Sequence, residues 1–146
     1  MAEPKTQTYA NHRRYVPLFH FVLAGILLAN VVITGRHVYY QGITRHVMWE
    51  IVMALALVLI FLFMRAFPVA VQDRVIRLEE TLRLQRLAPD LASRASEFTP
   101  EQFIGLRFAS DEELPALARK VLDERIASRD AIKKMVKSWR GDFLRA

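Results

Sequence analysis

Apolar residues dominate the chain from Val16 to Met64, where only Arg36, Arg45 and Glu50 are formally charged and 46 of 49 positions carry no charge. Val16 to Gly35 is a run of 20 uncharged residues, the length an α-helix needs to cross a hydrocarbon core of about 30 Å. An 11-residue connection, Arg36 to His46, separates it from a second apolar run, Val47 to Met64, charged only at Glu50. The pattern predicts a helical hairpin over 16–67, with membrane spans at about 16–35 and 47–66. Residues 1–15 are polar and aperiodic and read as a flexible or interfacial tail. Arg13-Arg14 ahead of the apolar run echoes a twin-arginine export signal. The run is longer than a typical signal h-region, lacks a small-x-small cleavage site and is followed at once by another span, so the expectation is an uncleaved membrane helix.

From Pro68 the periodicity becomes that of amphipathic helix, and a small helical domain is expected over 68–146. Val71, Val75, Leu78 and Leu82 recur at spacings of four, three and four and read as the inward face. Asp73 with Arg77 and Glu79 with Arg83 stand four apart as ion pairs on the outer face. This helix extends the second span beyond a kink and ends near Ala88, because Pro89 cannot continue the ladder. Thr99-Pro100-Glu101-Gln102 is a capping box with proline at the first helical position, and Phe98 with Phe103 is spaced as a hydrophobic staple for a short helix to about Phe108. Ser110 and Glu113 read as a second capping box, opening a helix with Leu114, Leu117, Ala118, Val121 and Leu122 on one face. A last helix, roughly Arg129 to Arg140, places Ile132, Met135, Val136 and Trp139 at i, i+3, i+4 and i+7, with Gly141 as its stop. Nothing reads as a strand, so the fold class is all-α: a two-helix transmembrane hairpin followed by a small cytoplasmic helical domain.

The net charge of +6 gains meaning from where it lies. Lys5, Arg13 and Arg14 precede the hairpin and Arg65, Arg74, Arg77, Arg83 and Arg86 follow it, against Arg36 and Arg45 in the connection. Eight basic residues against two put both termini in the cytoplasm by the positive-inside bias. Arg65 to Ser128 nets −1 and Arg129 to Arg145 nets +4, so the positive excess is local to the tail. Arg129, Lys133, Lys134, Lys137 and Arg140 flank the apolar stripe of the last helix and are candidate contacts to anionic lipid or an acidic partner.

Candidate chemistry is sparse. The chain has no cysteine, which excludes disulfides, thiolate metal sites and a cysteine nucleophile. His12, His37 and His46 lack metal-ligand spacing, and His20 in the first span has no titratable partner at matching depth. His46 and Glu50 stand one turn apart as an interfacial pair. Neither a phosphate-cradling glycine loop, a nucleophile elbow nor a set of converging carboxylates occurs, so no catalytic, cofactor-binding or metal residue is named. No nucleic-acid-binding motif is legible either. Gly25 and Ala29 form a small-xxx-small pair followed by Asn30, and with Ala54 they are candidate span-packing residues, serving the hairpin itself or self-association.

The runs Tyr9 to Pro17, Arg65-Ala66-Phe67-Pro68 continuing to Gln72-Asp73-Arg74, and Arg107 to Pro115, with the ending Lys133 to Arg145 around Trp139, resemble a family of small bacterial two-span membrane proteins classed as a domain of unknown function. The resemblance covers nearly the whole chain and implies a bacterial inner-membrane protein, with no activity, cofactor or site residue attached. The expectation is a non-enzymatic membrane-anchored scaffold or partner-binding module, needing no cofactor, whose partners are the bilayer and another protein or further copies of itself. The alternative is an oligomeric pore or holin-like membrane protein. The short connection and the absence of a polar stripe on either span count against that alternative.

Overall fold

The computed structural model describes residues 7–12 and 15–143. Among these residues the fold is all-helical, with no strand. A π-helical turn, Leu18–Leu23, leads into α1 (Ala24–Gln41), and α2 (Arg45–Leu87) follows after the three residues 42–44. Then come α3 (Pro89–Ala92), a 3-10 turn (Ala95–Glu97), α4 (Pro100–Leu106), α5 (Leu114–Asp123) and α6 (Arg129–Met135). The chain divides into two compact units, Arg14–Pro68 and Met1–Arg13 with Val69–Ala146. We call them the hairpin unit and the core unit.

In the hairpin unit the expected 11-residue connection shrinks to a tight turn. Gly42 takes φ +68°, a left-handed conformation that favours glycine, and helix continues on both sides of it. α1 and α2 run antiparallel from this turn, with His37 against Glu50 near it and Phe19 stacked on Phe61 farther away, at a ring-centroid distance of 4.6 Å. Two helical stretches, Leu18–Gln41 and Arg45–Leu87, are long and apolar enough to cross a membrane. Pro68 lies inside α2 without ending it. Its nitrogen has no hydrogen to give the preceding turn.

The core unit is built where local chemistry is strongest. Thr99 Oγ1 accepts from the Gln102 N–H at 3.3 Å, and Gln102 Oε1 accepts from the Thr99 N–H at 2.8 Å, completing the expected capping box. The Gln102 amide also donates to the Ile126 carbonyl at 3.0 Å, so the cap of α4 holds the loop after α5. Phe98 and Phe103 pack with ring centroids 5.2 Å apart, both buried, as the staple spacing requires. α4 packs against both α5 and α6. Leu114, Leu117, Ala118, Val121 and Leu122 of α5 are all buried, as their spacing predicts. α5 ends in a Schellman motif, with Ile126 N–H bonded to Val121 O and Arg125 N–H to Leu122 O, and Arg125 occupies the left-handed position at φ 52°.

Three elements differ from expectation. α2 ends at Leu87, as Pro89 requires, but its inward face is Ile76, Glu80, Arg83 and Leu84, whereas Val71, Val75, Leu78 and Leu82 are exposed. α6 stops at Met135, and Val136 is extended with ψ 121°, so Trp139 is not on the helix; it forms an isolated antiparallel bridge with Ala109. Residues 7–12, read as part of a tail, belong to the core unit. Gln7 and Asp142 exchange two hydrogen bonds of 3.1 and 2.9 Å, and His12 is buried against Phe108 and Trp139. Lys5, Arg13, Arg14 and Arg145 lie outside the described residues.

α4 and α6 approach closely at Gly105, where an added Cβ would meet Ile132 Cβ and Cγ2 at 2.8 Å and the Arg129 carbonyl at 3.2 Å. Gly105→Ala is expected to lower the unfolding free energy by about 1–3 kcal/mol through overpacking. Gly25→Ala, in helix α1 with nothing within 4 Å, is expected not to lower it and to raise it by up to about 1 kcal/mol. Denaturant unfolding of the two full-length variants in detergent tests the pair, and equal effects would contradict the α4–α6 packing.

Candidate functional site

The inward face of α2 carries two charged residues because its neighbours satisfy them. Arg83 donates from Nε to Asp111 Oδ1 at 2.8 Å, from Nη1 to Glu80 Oε2 at 3.1 Å and from Nη2 to the Ala109 carbonyl at 2.7 Å. The guanidinium and Glu80 are both buried, whereas Asp111 is partly open to solvent. The sequence pairing of Glu79 with Arg83 is therefore replaced by Glu80 with Arg83, one step round the helix. Arg86 reaches Asp111 at 3.0 Å from the solvent side, and Arg140 lies 3.6 Å from Glu80. Burial pushes the Glu80 carboxyl above its ordinary value despite the Arg83 guanidinium, while the hydrogen bond from Arg83 holds Asp111 below its own. Glu80, Arg83, Arg86 and Arg140 border a cleft of about 800 Å³, lined also by Leu82, Arg107, Asp142 and Phe143.

The segment after α6 is held by main-chain bonds. The Glu113 carboxylate accepts from the Lys137 N–H at 3.0 Å and the Ser138 N–H at 2.9 Å. Ser110 N–H donates to Ser138 O at 2.9 Å, and Arg140 N–H donates to Phe108 O at 2.7 Å. Only half of the expected second capping box forms, with Glu113 N–H donating to Ser110 Oγ at 3.3 Å, because the Glu113 side chain is committed to the C-terminal segment. Asp111 likewise serves Arg83 and Arg86.

The expected basic face is reduced by these partners. Lys133 is buried, with Nζ 3.3 Å from His12 Nε2 and 3.6 Å from Asp130, so it cannot be part of an exposed flank. Arg129 lies 3.6 Å from Glu101 and Arg140 faces Glu80, so each has an acid beside it. Lys134 lies over the Tyr9 ring at 5.6 Å, and the Lys137 side chain is exposed. In the hairpin unit Ala54 and Thr34 are buried and Asn30 is half-buried, whereas Gly25 and Ala29 are exposed. His46 approaches Glu50 at 3.1 Å as its spacing predicts, and His37 joins the same carboxylate at 2.7 Å. His20 accepts from the Val16 N–H at 3.1 Å through Nδ1. Among the described residues no group of three His, Cys, Asp or Glu side chains is placed to hold a metal ion.

Among the described residues of the core unit, α2 also carries an exposed apolar face. Val71, Val75, Leu78 and Leu82 are 61%, 47%, 61% and 55% exposed along one face of α2. Sequence reasoning found this stripe and assigned it to the wrong side. The signal it lacked was the buried pairing of Arg83 with Glu80, which hydropathy scores as surface.

Residues 1–146 match a family described as a family of unknown function (DUF6526), and the chain belongs to that family. No curated protein and no solved structure matches it.

The Arg83 cluster makes two expectations. Arg83→Met leaves Glu80 buried without its nearest cation and is expected to cost about 3–5 kcal/mol, whereas Arg86→Met at the exposed end costs under about 1 kcal/mol. Because the folded chain holds Glu80 above its ordinary value, the stability linked to that group is complete below the ordinary carboxylate range. It is lost as pH rises through the raised value. Relative to Glu80→Gln, the parent chain should therefore lose stability from acidic toward neutral pH in denaturant titrations, and a constant difference would contradict the burial of this carboxylate.

Proposed function

For this member of a family of unknown function, we propose a two-span protein of the bacterial inner membrane. Both termini are cytoplasmic, and the core unit is a non-enzymatic partner-binding module. The apolar windows of the two long helices have mean hydropathies of 2.1 and 2.6, yet only 6% and 11% of each is buried within the chain. The core helix of a water-soluble protein is mostly covered by its neighbours, so surfaces this apolar and this open favour lipid as the solvent. Tyr39, Tyr40 and Trp49 cluster near the turn end, which suits a membrane–water interface. The count of eight flanking Lys and Arg against two in the connection supports an inward orientation for both termini.

The observation that carries the binding role is the disposition of polar and apolar groups in the core unit. Arg83, Glu80, Asp111 and Glu113 are spent on one another or on the backbone, and α2 keeps an apolar stripe facing outward. Such a surface suits docking better than chemistry. Gly25 and Ala29, both exposed on α1, add a small-residue face where another helix can approach closely. Lys134 and Lys137 remain as the cations best placed for anionic lipid or an acidic partner.

A paired reporter fused after Ala146, one moiety active only in the cytoplasm and the other only in the periplasm, tests the topology. The cytoplasmic signal is expected, with the chain retained in the membrane fraction after alkaline extraction. A periplasmic signal, or release by alkali, would contradict the proposal.

A further inference from the structure

From the exposed face of α2 we infer that a second copy of this chain docks alongside it as a short parallel two-stranded coiled coil, with Val71, Val75, Leu78 and Leu82 as the seam. The inference deepens the binding role proposed above and rests on it for the partner's presence in the same membrane. The four side chains are 61%, 47%, 61% and 55% exposed, so the described residues leave about half or more of each uncovered. They fall within an arc of about 60° at 100° per residue. That is narrower than the stripe of a helix packed on a globular core and matches a two-position seam. The spacings of four, three and four place Val71 and Leu78 at d and Val75 and Leu82 at a of the heptad repeat.

Charge selects the occupant and its direction. Arg74 occupies position g and Glu79 position e, and both are exposed. In a parallel pair, g of one strand faces the e position five residues further along the other, so Arg74 meets Glu79 of the second copy on both sides of the seam. An antiparallel pair sets g against g and brings Arg74 to Thr81 instead of an acid. Glu79 beside the seam also disfavours burial of this face in an anionic leaflet, which calls for a broad apolar surface flanked by cations. Two heptads are few for association in solution. Anchoring both copies in one bilayer raises their effective concentration and fixes them parallel.

The chain has no cysteine, so a single introduced thiol reports only on its own position. Full-length Leu78→Cys in neutral-lipid liposomes is expected to form a disulfide-linked dimer on mild oxidation. Arg77→Cys, on the far side of the helix, should give severalfold less. In the Leu78→Cys background, Arg74→Glu or Glu79→Arg alone sets like charges together and should lower the cross-linked fraction severalfold, and the two together should restore it. Equal cross-linking at the two positions, or single charge reversals without effect, would overturn the inference. So would a thiol-linked probe at position 78 that is quenched by nitroxide lipids without cross-linking, which would assign the face to the bilayer. Alkaline extraction reads anchoring separately: a chain that cross-links at position 78 yet is released by alkali supports the seam while contradicting the membrane reading.

Discussion

The burial of one guanidinium decides which way α2 faces. A charge taken out of water is tolerated only when it is paired and hydrogen-bonded, and Arg83 meets that condition through Asp111, Glu80 and the Ala109 carbonyl. Those partners come from α2 itself and from the turn before α5, so they fix the rotation of the helix about its axis. With Arg83 and Glu80 inward, Ile76 and Leu84 enter the core with them. At 3.6 residues per turn, Val71, Val75, Leu78 and Leu82 must then point away. Rotating α2 to bury that apolar stripe would take Ile76 and Leu84 out of the core and part the Arg83 guanidinium from Asp111 and the Ala109 carbonyl.

The same economy of polar groups shapes the rest of the core unit. Its short helices, seven residues in α4 and seven in α6, gain little from helix propensity alone and depend on caps and packing. Glu113 fastens the extended segment after α6, and Gln7 and His12 bring the N-terminal residues onto the same side as Trp139 and Asp142. Residues far apart in sequence thus close one structure, and Arg83, Glu80, Asp111 and Glu113 are engaged in holding it together. The docking role proposed above rests on the outward face of α2.

Sequence legibility follows the range of the interaction. The capping box at Thr99 and Gln102, the Phe98–Phe103 staple, the buried face of α5 and the end of α2 before Pro89 were readable because each depends on residues within about five positions of one another. Apolar periodicity revealed the stripe on α2 but carries no information on what covers it. Ile76 and Leu84 form a competing and sparser face that hydropathy underrates because Glu80 and Arg83 lie between them. The end of α6 at Met135 was hidden because Trp139 falls in helical register with Ile132, while its actual place is set by a bridge to Ala109. Lys133 looked like a solvated flank for the same reason: its partner His12 is 121 residues away in sequence.

The orientation of α2 is the claim on which the rest turns, and adjacent leucines test it most directly. Leu84 is fully buried, and Leu82, two residues earlier, is 55% exposed. Denaturant unfolding of full-length Leu84→Ala and Leu82→Ala, in detergent at high dilution so that copies do not associate, should show a loss of about 2–5 kcal/mol for the first and less than about 1 kcal/mol for the second. A Leu82→Ala loss equal to or greater than that of Leu84→Ala would mean that the apolar stripe faces the core, and would contradict the account.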